Sequence, residues 1–250
     1  MIKIKTDEEM EIMAEGGAKL GRVKNALAAA VKKGVTALDI ENLAMKLIKE
    51  EGAEPSFNKE PNYYWATCVN VNEGLVHGIP TKEVVFKDGD LVKIDVGIYY
   101  KGFHNDTSIS VGINPSPDNK RFLHIGELAL NKALKEVREG SYLYAISKAI
   151  QDTVEGAGYS TIKALVGHGV GRKLHEDPQI PCFVPGGYVK ESPKIKKGMT
   201  LAVEVMYAQG SDKVEILNDG WTIAMRDGKI SGLFEETVAV TSKGSKVLTR

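Results

Sequence analysis

Residues 91–108 read LVKIDVGIYYKGFHNDTS and are typical of a β-hairpin. The first part of this stretch is rich in β-branched and aromatic residues, which predicts a strand over 91–100. Tyr100-Lys101-Gly102 is typical of a hairpin turn, so the chain should return as a second strand. Asp95 and Asp106 would then lie nearly opposite each other, with Cβ atoms roughly 4.5–5.5 Å apart. Carboxylates this close repel unless one is protonated or a cation lies between them.

Helices and further strands are predicted on both sides of this hairpin. Thr6 and Glu9 have capping-box spacing, which predicts a helix to about residue 33, and Thr36 begins a second helix that ends near Gly52. Ser116-Pro117 begins a third helix, which runs to about residue 139, and a fourth is predicted over 144–155. The other strands are predicted at 66–71, 162–166, 199–207, 213–217, 221–224 and 233–240.

The order of helices followed by strands occurs twice along the chain. This order predicts an α+β fold in which two similar halves surround one curved antiparallel sheet. No linker rich in Gly, Ser or Pro divides the halves, and a length of 250 residues suits one large domain. Residues 1–250 are therefore expected to form a single catalytic domain.

The composition excludes several classes of protein. Lys+Arg and Asp+Glu both number 33, so the formal net charge is zero, which argues against a general attraction to nucleic acid. The first residues lack the apolar segment of a signal peptide, and no stretch approaches the roughly 18 apolar residues of a membrane span. Two cysteines without CxxC spacing exclude the usual thiolate zinc site. These features predict a cytoplasmic protein with no specific nucleic-acid partner.

Three acids lie inside apolar, strand-like stretches: Asp95, Glu204 and Glu235. Each alone would more often be an outward-facing strand residue, but three together favour paired or metal-bound groups. Asp106 and the glycine-flanked His168 extend the set to four carboxylates and one imidazole. This hard, oxygen-rich set suits two divalent cations better than one structural zinc. Such a centre would activate water and make the protein a hydrolase.

Seven segments resemble those of type I methionine aminopeptidase, in that family's order and at its spacing. The match runs from the first helix to Thr241. The segments are Val76-His77-Gly78-Ile79-Pro80, Lys93-Ile94-Asp95-Val96, Gly102-Phe103-His104-Asn105-Asp106-Thr107-Ser108, Gly167-His168-Gly169-Val170-Gly171, His175-Glu176-Asp177-Pro178, Lys197-Gly198-Met199-Thr200 and Asp219-Gly220-Trp221-Thr222.

The resemblance implies the pita-bread fold, with two pseudo-symmetric halves and the site between them. It also implies that Asp95, Asp106, His168, Glu204 and Glu235 bind two divalent cations, with Asp106 and Glu235 bridging them. The family uses cobalt, manganese, iron or zinc.

The implied reaction is removal of the initiator methionine from nascent polypeptides at the ribosome, by a monomeric enzyme. A hydroxide that bridges the metals would be the nucleophile, and Glu204 would transfer its proton. His175 would stabilise the oxyanion and His77 would hold the scissile amide nitrogen.

A methionine side chain needs an apolar, deformable pocket. The candidates for its wall are Tyr63, Tyr64, Trp65, Cys68, Phe183 and Trp221, of which Cys68 and Trp221 occupy positions that line the pocket in the family. The sequence departs from the family pattern at residues 61–67, at Val205, where proline is usual, and at Glu236, where histidine is usual. Glu236 should face away from Glu235, because neighbours on a strand point to opposite faces.

Two alternatives remain open at this stage. A proline-specific aminopeptidase or prolidase would have the same fold and ligand set, although those relatives generally carry an additional N-terminal domain. A non-catalytic pita-bread protein that binds ribosomes or RNA would have lost ligands, whereas this chain has kept all five. The zero net charge also argues against that reading.

Overall fold

The computed structural model describes residues 1–250, except for the side chain of Lys190. The helices are α1 (Asp7–Ala30), α2 (Ala37–Glu50), α3 (Pro117–Glu136), α4 (Leu143–Gly156) and α5 (Tyr188–Glu191). The strands are β1 (Glu54–Pro55), β2 (Thr67–Val71), β3 (Gly74–Val76), β4 (Leu91–Tyr100), β5 (Phe103–Gly112), β6 (Ser160–Thr161), β7 (Val166–Gly169), β8 (Glu176–Pro181), β9 (Thr200–Ala208), β10 (Val214–Ile216), β11 (Ile223–Met225), β12 (Ser231–Thr241) and β13 (Gly244–Val247).

The helix starts follow the predicted capping residues. The side chains of Thr6 and Glu9 form a reciprocal capping box at the start of α1, and Thr36 forms a second one with Asp39 at the start of α2. Ser116 caps α3, and proline stands in the first turn of that helix. These side chains bind amide groups that have no partner within the helix. The four main helices therefore begin where the sequence predicts, although α1 and α3 end three residues early.

One antiparallel sheet of ten strands forms the centre of the molecule. Its main path runs β1-β4-β5-β12-β9-β7-β8, with β2 paired to β4, β6 to β9 and β13 to β12. The central contacts are long: β4 pairs with β5 over the whole hairpin, and β12 pairs with β9 over nine residue pairs. A small sheet of β10, β11 and β3 lies beside it.

Two hydrophobic clusters correspond to the two predicted halves. In the first, α1 and α2 pack on β2 and β4 through residues such as Leu20, Ile40 and Ile94. In the second, α3 packs on β9 and β12, and α4 packs on α3, β6 and β8, through residues such as Phe122 and Ile150. Each half therefore consists of a helix pair that covers antiparallel strands. The predicted α+β fold is confirmed.

The strand predicted at 162–166 is wrong. Strand β6 pairs with the end of β9 and stops at Thr161, and the chain rejoins β9 only at His168, which lies opposite Ala202. Residues 162–165 form no strand, although Ile162 is buried and its amide donates to the carbonyl oxygen of Met206 on β9; Val166 is the first residue of β7. Among the described helices, none has the combination of length and apolar character that a bilayer crossing requires.

Candidate active site

The hairpin brings Asp95 and Asp106 to the same face, but not directly opposite each other. Asp95 pairs with Ser108, and Asp106 pairs with Gly97. The turn consists of Lys101 and Gly102, both with positive φ, which fixes a two-residue loop and moves the register by two positions from the predicted one. The two aspartates are therefore diagonal neighbours. They still face each other because residues two apart on a strand share a face.

A single row of side chains crosses four strands at the centre of the sheet. Asp95 on β4 lies opposite Ser108 on β5, Ser108 lies opposite Glu235 on β12, and Glu235 lies opposite Glu204 on β9. Asp106 shares this face because it precedes Ser108 by two residues. Four carboxylates from four strands therefore meet on one face of the sheet, which we call the front face.

His168 completes this set from strand β7. It pairs with Ala202, two residues before Glu204, and its Nε2 lies 3.5 Å from Glu204 Oε1 and 3.9 Å from Asp106 Oδ2. Its Nδ1 lies 2.8 Å from the carbonyl oxygen of Gly169. A carbonyl can only accept, so Nδ1 carries the hydrogen and Nε2 presents a lone pair to the acids. Potential ligand atoms of Asp106, His168 and Glu235 all lie within 4.8 Å of one another.

The electrostatics of the row oppose ionisation of its acids. Burial, followed by the charges of neighbouring acids, raises the pKa of Asp95, Glu204 and Glu235 well above the usual range. Burial also raises the pKa of Asp106 to about 7. Burial lowers the pKa of His168 to about 3, so its ring is neutral and does not pair ionically with the acids.

Several oxygens of the row have no hydrogen-bond partner among the described residues: Asp95 Oδ1, Glu235 Oε1 and Ser108 Oγ. Unpaired buried carboxylate oxygens are costly, and a native fold keeps them where a ligand satisfies them. Four carboxylates and a neutral imidazole with a free lone pair form a donor set that divalent cations accept. The residues present therefore fit a divalent metal centre.

A cavity of about 330 Å³ opens over the row, and the carboxylates and His168 form its floor. His77 and His175 stand on its walls, and the ring of His175 lies 4.5 Å from that of His168. Burial lowers the pKa of both wall histidines, so they are neutral at pH 7 and can donate a hydrogen bond. His77 has a left-handed backbone, with φ of 59°.

Aromatic residues form one wall of the cavity. Tyr63, Cys68 and Trp221 line it, as predicted, and the rings of Tyr63 and Trp221 lie 5.0 Å apart. The Tyr63 hydroxyl donates to the carbonyl oxygen of Thr67 at 2.8 Å. Trp65 supports Tyr63 from behind, with 5.2 Å between the rings.

Three aromatic candidates for this wall do not line the cavity: Tyr64, Trp65 and Phe183. Tyr64 is 74% exposed, whereas its neighbour Tyr63 is buried. Phe183 lies apart from the cavity, beneath the ammonium group of Lys163.

Several lining residues were not predicted from the sequence, since they come from separate loops and strands: Phe57, Glu60, Leu165, Leu174 and Met206.

Glu41 was not predicted either. Its carboxylate accepts from the amides of Ala66 and Thr67 and from the Thr67 hydroxyl. Glu41 thus anchors the unusual 61–67 segment to α2. No local pattern signals these contacts. Ser108 could have been found, because it follows Asp106 by two residues on the same strand.

The two other departures from the family pattern lie on the opposite side of the sheet, the back face. Val205 is fully buried in the cluster under α3 and α4. Glu236 forms an ion pair with Lys24, at 2.7 Å. The prediction that Glu236 faces away from Glu235 is confirmed, and neither departure contacts the cavity.

Comparison with known proteins places this site in a family. Residues 11–242 match metallopeptidase family M24. Methionine aminopeptidase 1 of Bacillus subtilis is 41% identical over all of both chains, and methionine aminopeptidase of Clostridium perfringens is 38% identical over 100% of this chain and 99% of that protein. The crystal structure of methionine aminopeptidase from Thermotoga maritima aligns with a TM-score of 0.95 at 40% identity, with complete coverage of both chains.

More distant neighbours share the fold alone. A prolidase from Pyrococcus furiosus aligns with a TM-score of 0.79 at 23% identity, over 99% of this chain but 65% of its own. These neighbours agree with the pita-bread architecture that the resemblance implied. The full-length identity and the family match together show that this chain belongs to metallopeptidase family M24, among its methionine aminopeptidases.

Proposed function

We propose that this protein is a metal-dependent aminopeptidase that hydrolyses the N-terminal methionine of polypeptides. The observation that carries this proposal is the row of four carboxylates that His168 completes at the floor of an apolar-walled cavity. A cavity with convergent polar groups of perturbed pKa is the expected form of a catalytic site.

Divalent cations would be held by Asp95, Asp106, His168, Glu204 and Glu235. Bound divalent cations supply Lewis acidity, which polarises a carbonyl group and activates water. Asp106 and Glu235 are the most buried carboxylates of the row, at 5% and 3% exposure, and their ligand atoms lie within 4.8 Å of one another and of His168. Cobalt, manganese, iron and zinc all accept this donor set, and metal analysis of protein purified without added metal would identify the one used.

Glu204 would carry the proton in the reaction. Its carboxylate faces the cavity and lies beside His168 Nε2. Burial raises the pKa of Glu204 well above its usual range, so this carboxyl group can accept a proton near neutral pH and return it to the leaving amine. General acid–base catalysis of this kind contributes typically about 10²–10⁴-fold to a rate.

His77 and His175 would orient the scissile peptide bond from the walls. A neutral imidazole can donate to an oxygen that gains negative charge, and the nearness of His175 to His168 places it beside the metal floor. His77 would hold the amide nitrogen of the same bond. Cys68, Tyr63 and Trp221 would receive the methionine side chain, since they form an apolar wall with one polarisable sulfur.

The substrates would be the N-termini of nascent polypeptides, with processing at the ribosome by a monomer. The experiment that separates this proposal from a proline-specific activity is hydrolysis of Met-Ala-Ser and of Ala-Pro by the metal-loaded protein. We expect cleavage of the methionine peptide and little of the other. Preferential cleavage of Ala-Pro would overturn the methionine specificity, and cleavage of neither peptide would favour a non-catalytic role.

A further inference from the structure

The back face of the sheet carries a buried polar network directly behind the metal row. Its centre is Glu236, the neighbour of Glu235, with a side chain that is 6% exposed. Lys24 Nζ of α1, also 6% exposed, donates to Glu236 Oε1 at 2.7 Å. Arg250 Nε donates to the same oxygen at 3.1 Å. In contrast to the front-face acids, this carboxylate is fully paired.

One branch of the network leads to the backbone of Asp106. The Thr249 hydroxyl donates to Glu236 Oε2 and accepts from the amide of Thr237 at 3.0 Å. The Thr237 hydroxyl donates to the carbonyl oxygen of Asp106 at 2.7 Å and accepts from the Asp106 amide at 3.0 Å. Glu236 thus orients the hydroxyl of Thr249, and this hydroxyl binds the amide of Thr237. The Thr237 side chain in turn binds both backbone groups of Asp106.

A second branch leads to Glu235 and to the Asp106 side chain. The Thr107 hydroxyl lies 3.3 Å from Glu236 Oε2 and donates to the carbonyl oxygen of Glu235 at 2.8 Å. The Thr107 amide donates to Asp106 Oδ1 at 3.0 Å. Asp106 and Glu235 therefore both contact Thr107, whose hydroxyl lies beside Glu236.

The strand pairing explains why these side chains matter. The register between β5 and β12 covers only two residue pairs, Ser108 with Glu235 and Thr107 with Glu236. Next to these pairs, the backbone of Asp106 forms its hydrogen bonds to β12 through the hydroxyl of Thr237 and not through the backbone. The distance between Asp106 and Glu235 therefore depends on side-chain hydrogen bonds, and not on a continuous ladder.

We propose that Glu236, together with Lys24 and Thr249, is a positioning residue of the metal centre, which holds Asp106 and Glu235 in place from the back face. This inference rests on the proposed metal-dependent function. Partners of metal ligands orient those ligands, and their loss typically lowers metal affinity about 10–100-fold. In this chain the acid at position 236 is matched by a lysine on α1, so the two residues act as a pair.

The direct test is the substitution Thr249→Val, which removes one hydroxyl and keeps the shape of the side chain. Calorimetric titration of metal-stripped protein with Mn²⁺ should show binding at least about 10-fold weaker than in the wild type. Thr249→Ser should restore the affinity, since it restores the hydroxyl. The matched control is Thr241→Val at the end of β12, whose hydroxyl binds only the backbone of Lys243 and Gly244 in a turn; the Mn²⁺ affinity of this variant should be unchanged.

A pair of double variants separates the hydrogen bond from the charge. Lys24→Met with Glu236→Gln removes both charges but keeps an acceptor for Thr249, whereas Lys24→Met with Glu236→Leu removes the acceptor as well. We expect the second to bind Mn²⁺ about 10-fold more weakly than the first. Thermal melting of the metal-free proteins would report stability separately from affinity.

Equal Mn²⁺ affinity of wild type, Thr249→Val and both double variants would overturn the inference alone, even if the melting temperatures fell. A wild-type protein that takes up no divalent cation would overturn the proposed function together with it.

Discussion

Glu235 and Glu236 are neighbours on β12, and both side chains are buried, yet they face opposite sides of the sheet. On the front face, Glu235 Oε1 has no hydrogen-bond partner among the described residues, and burial raises the pKa of Glu235 well above its usual range. On the back face, Glu236 accepts from Lys24, Arg250 and Thr249. Paired buried carboxylates contribute to structure, whereas four clustered carboxylates, two of which keep an oxygen without a partner, indicate a site that a ligand completes.

The largest expected effect is on catalysis at the front face. Glu204→Gln keeps the size of the side chain but removes the group that would transfer the proton. The rate constant kcat for a methionine peptide should fall about 10²–10⁴-fold, while circular dichroism should show an unchanged fold. Near-normal turnover would refute the role of Glu204.

The same substitution on adjacent residues should change stability in opposite directions. Glu236→Gln should lower the free energy of unfolding by about 3–5 kcal/mol, because it leaves Lys24 buried without its counter-charge. Glu235→Gln should instead raise the stability of the metal-free protein at pH 7.5, since it removes one of several carboxylates that resist ionisation.

Denaturant unfolding of both variants, with wild type as the reference, would test this contrast. Changes of the same sign would contradict the distinction between the two faces.

A third effect concerns pH. The folded-state pKa of Asp106, about 7, lies above its ordinary value of 3.8, so the folded metal-free protein binds more protons than the unfolded chain between these values. Its free energy of unfolding should therefore fall as the pH rises from about 4 to about 7, by on the order of a few kcal/mol. Denaturation of metal-free protein at pH 5 and pH 7.5 measures this change. Equal stability at both pH values would count against the repulsion in the row.

The smallest effect is expected at the aromatic wall of the cavity. Trp221→Ala should raise KM for methionine peptides about 10-fold and change kcat less, because it removes apolar contact and leaves the floor intact. Tyr64→Ala is the matched control, since this aromatic residue is exposed and lies outside the cavity. A Trp221 variant with wild-type KM would remove the proposed role of this wall.

The floor of the site could be predicted much better than its wall, for a physical reason. Strand periodicity placed Asp95 and Asp106 on one face, although the two-residue turn moved them to a diagonal. The pairing of Glu235 with Ser108 and Glu204 joins distant segments, and no local pattern contains that register. Much of the wall comes from loops, where Tyr63 and Tyr64 look alike in sequence but only Tyr63 lines the cavity.

For the back-face network, too, the sequence predicts the direction of a side chain but not its distant partners. Alternation on β12 was enough to predict that Glu236 faces away from Glu235. Its partners could not be predicted, because Lys24 lies 212 residues away along the chain. Tertiary packing alone brings that lysine to the acid.

We expect the front face to bind divalent cations. Calorimetric titration of metal-free protein with Mn²⁺ near pH 6, repeated in two buffers of different ionisation enthalpy, tests this expectation most directly. We predict uptake of two cations per chain together with release of protons, because the acids of the row are protonated before the cations bind. Binding without proton release, or no stoichiometric uptake at all, would contradict the claim.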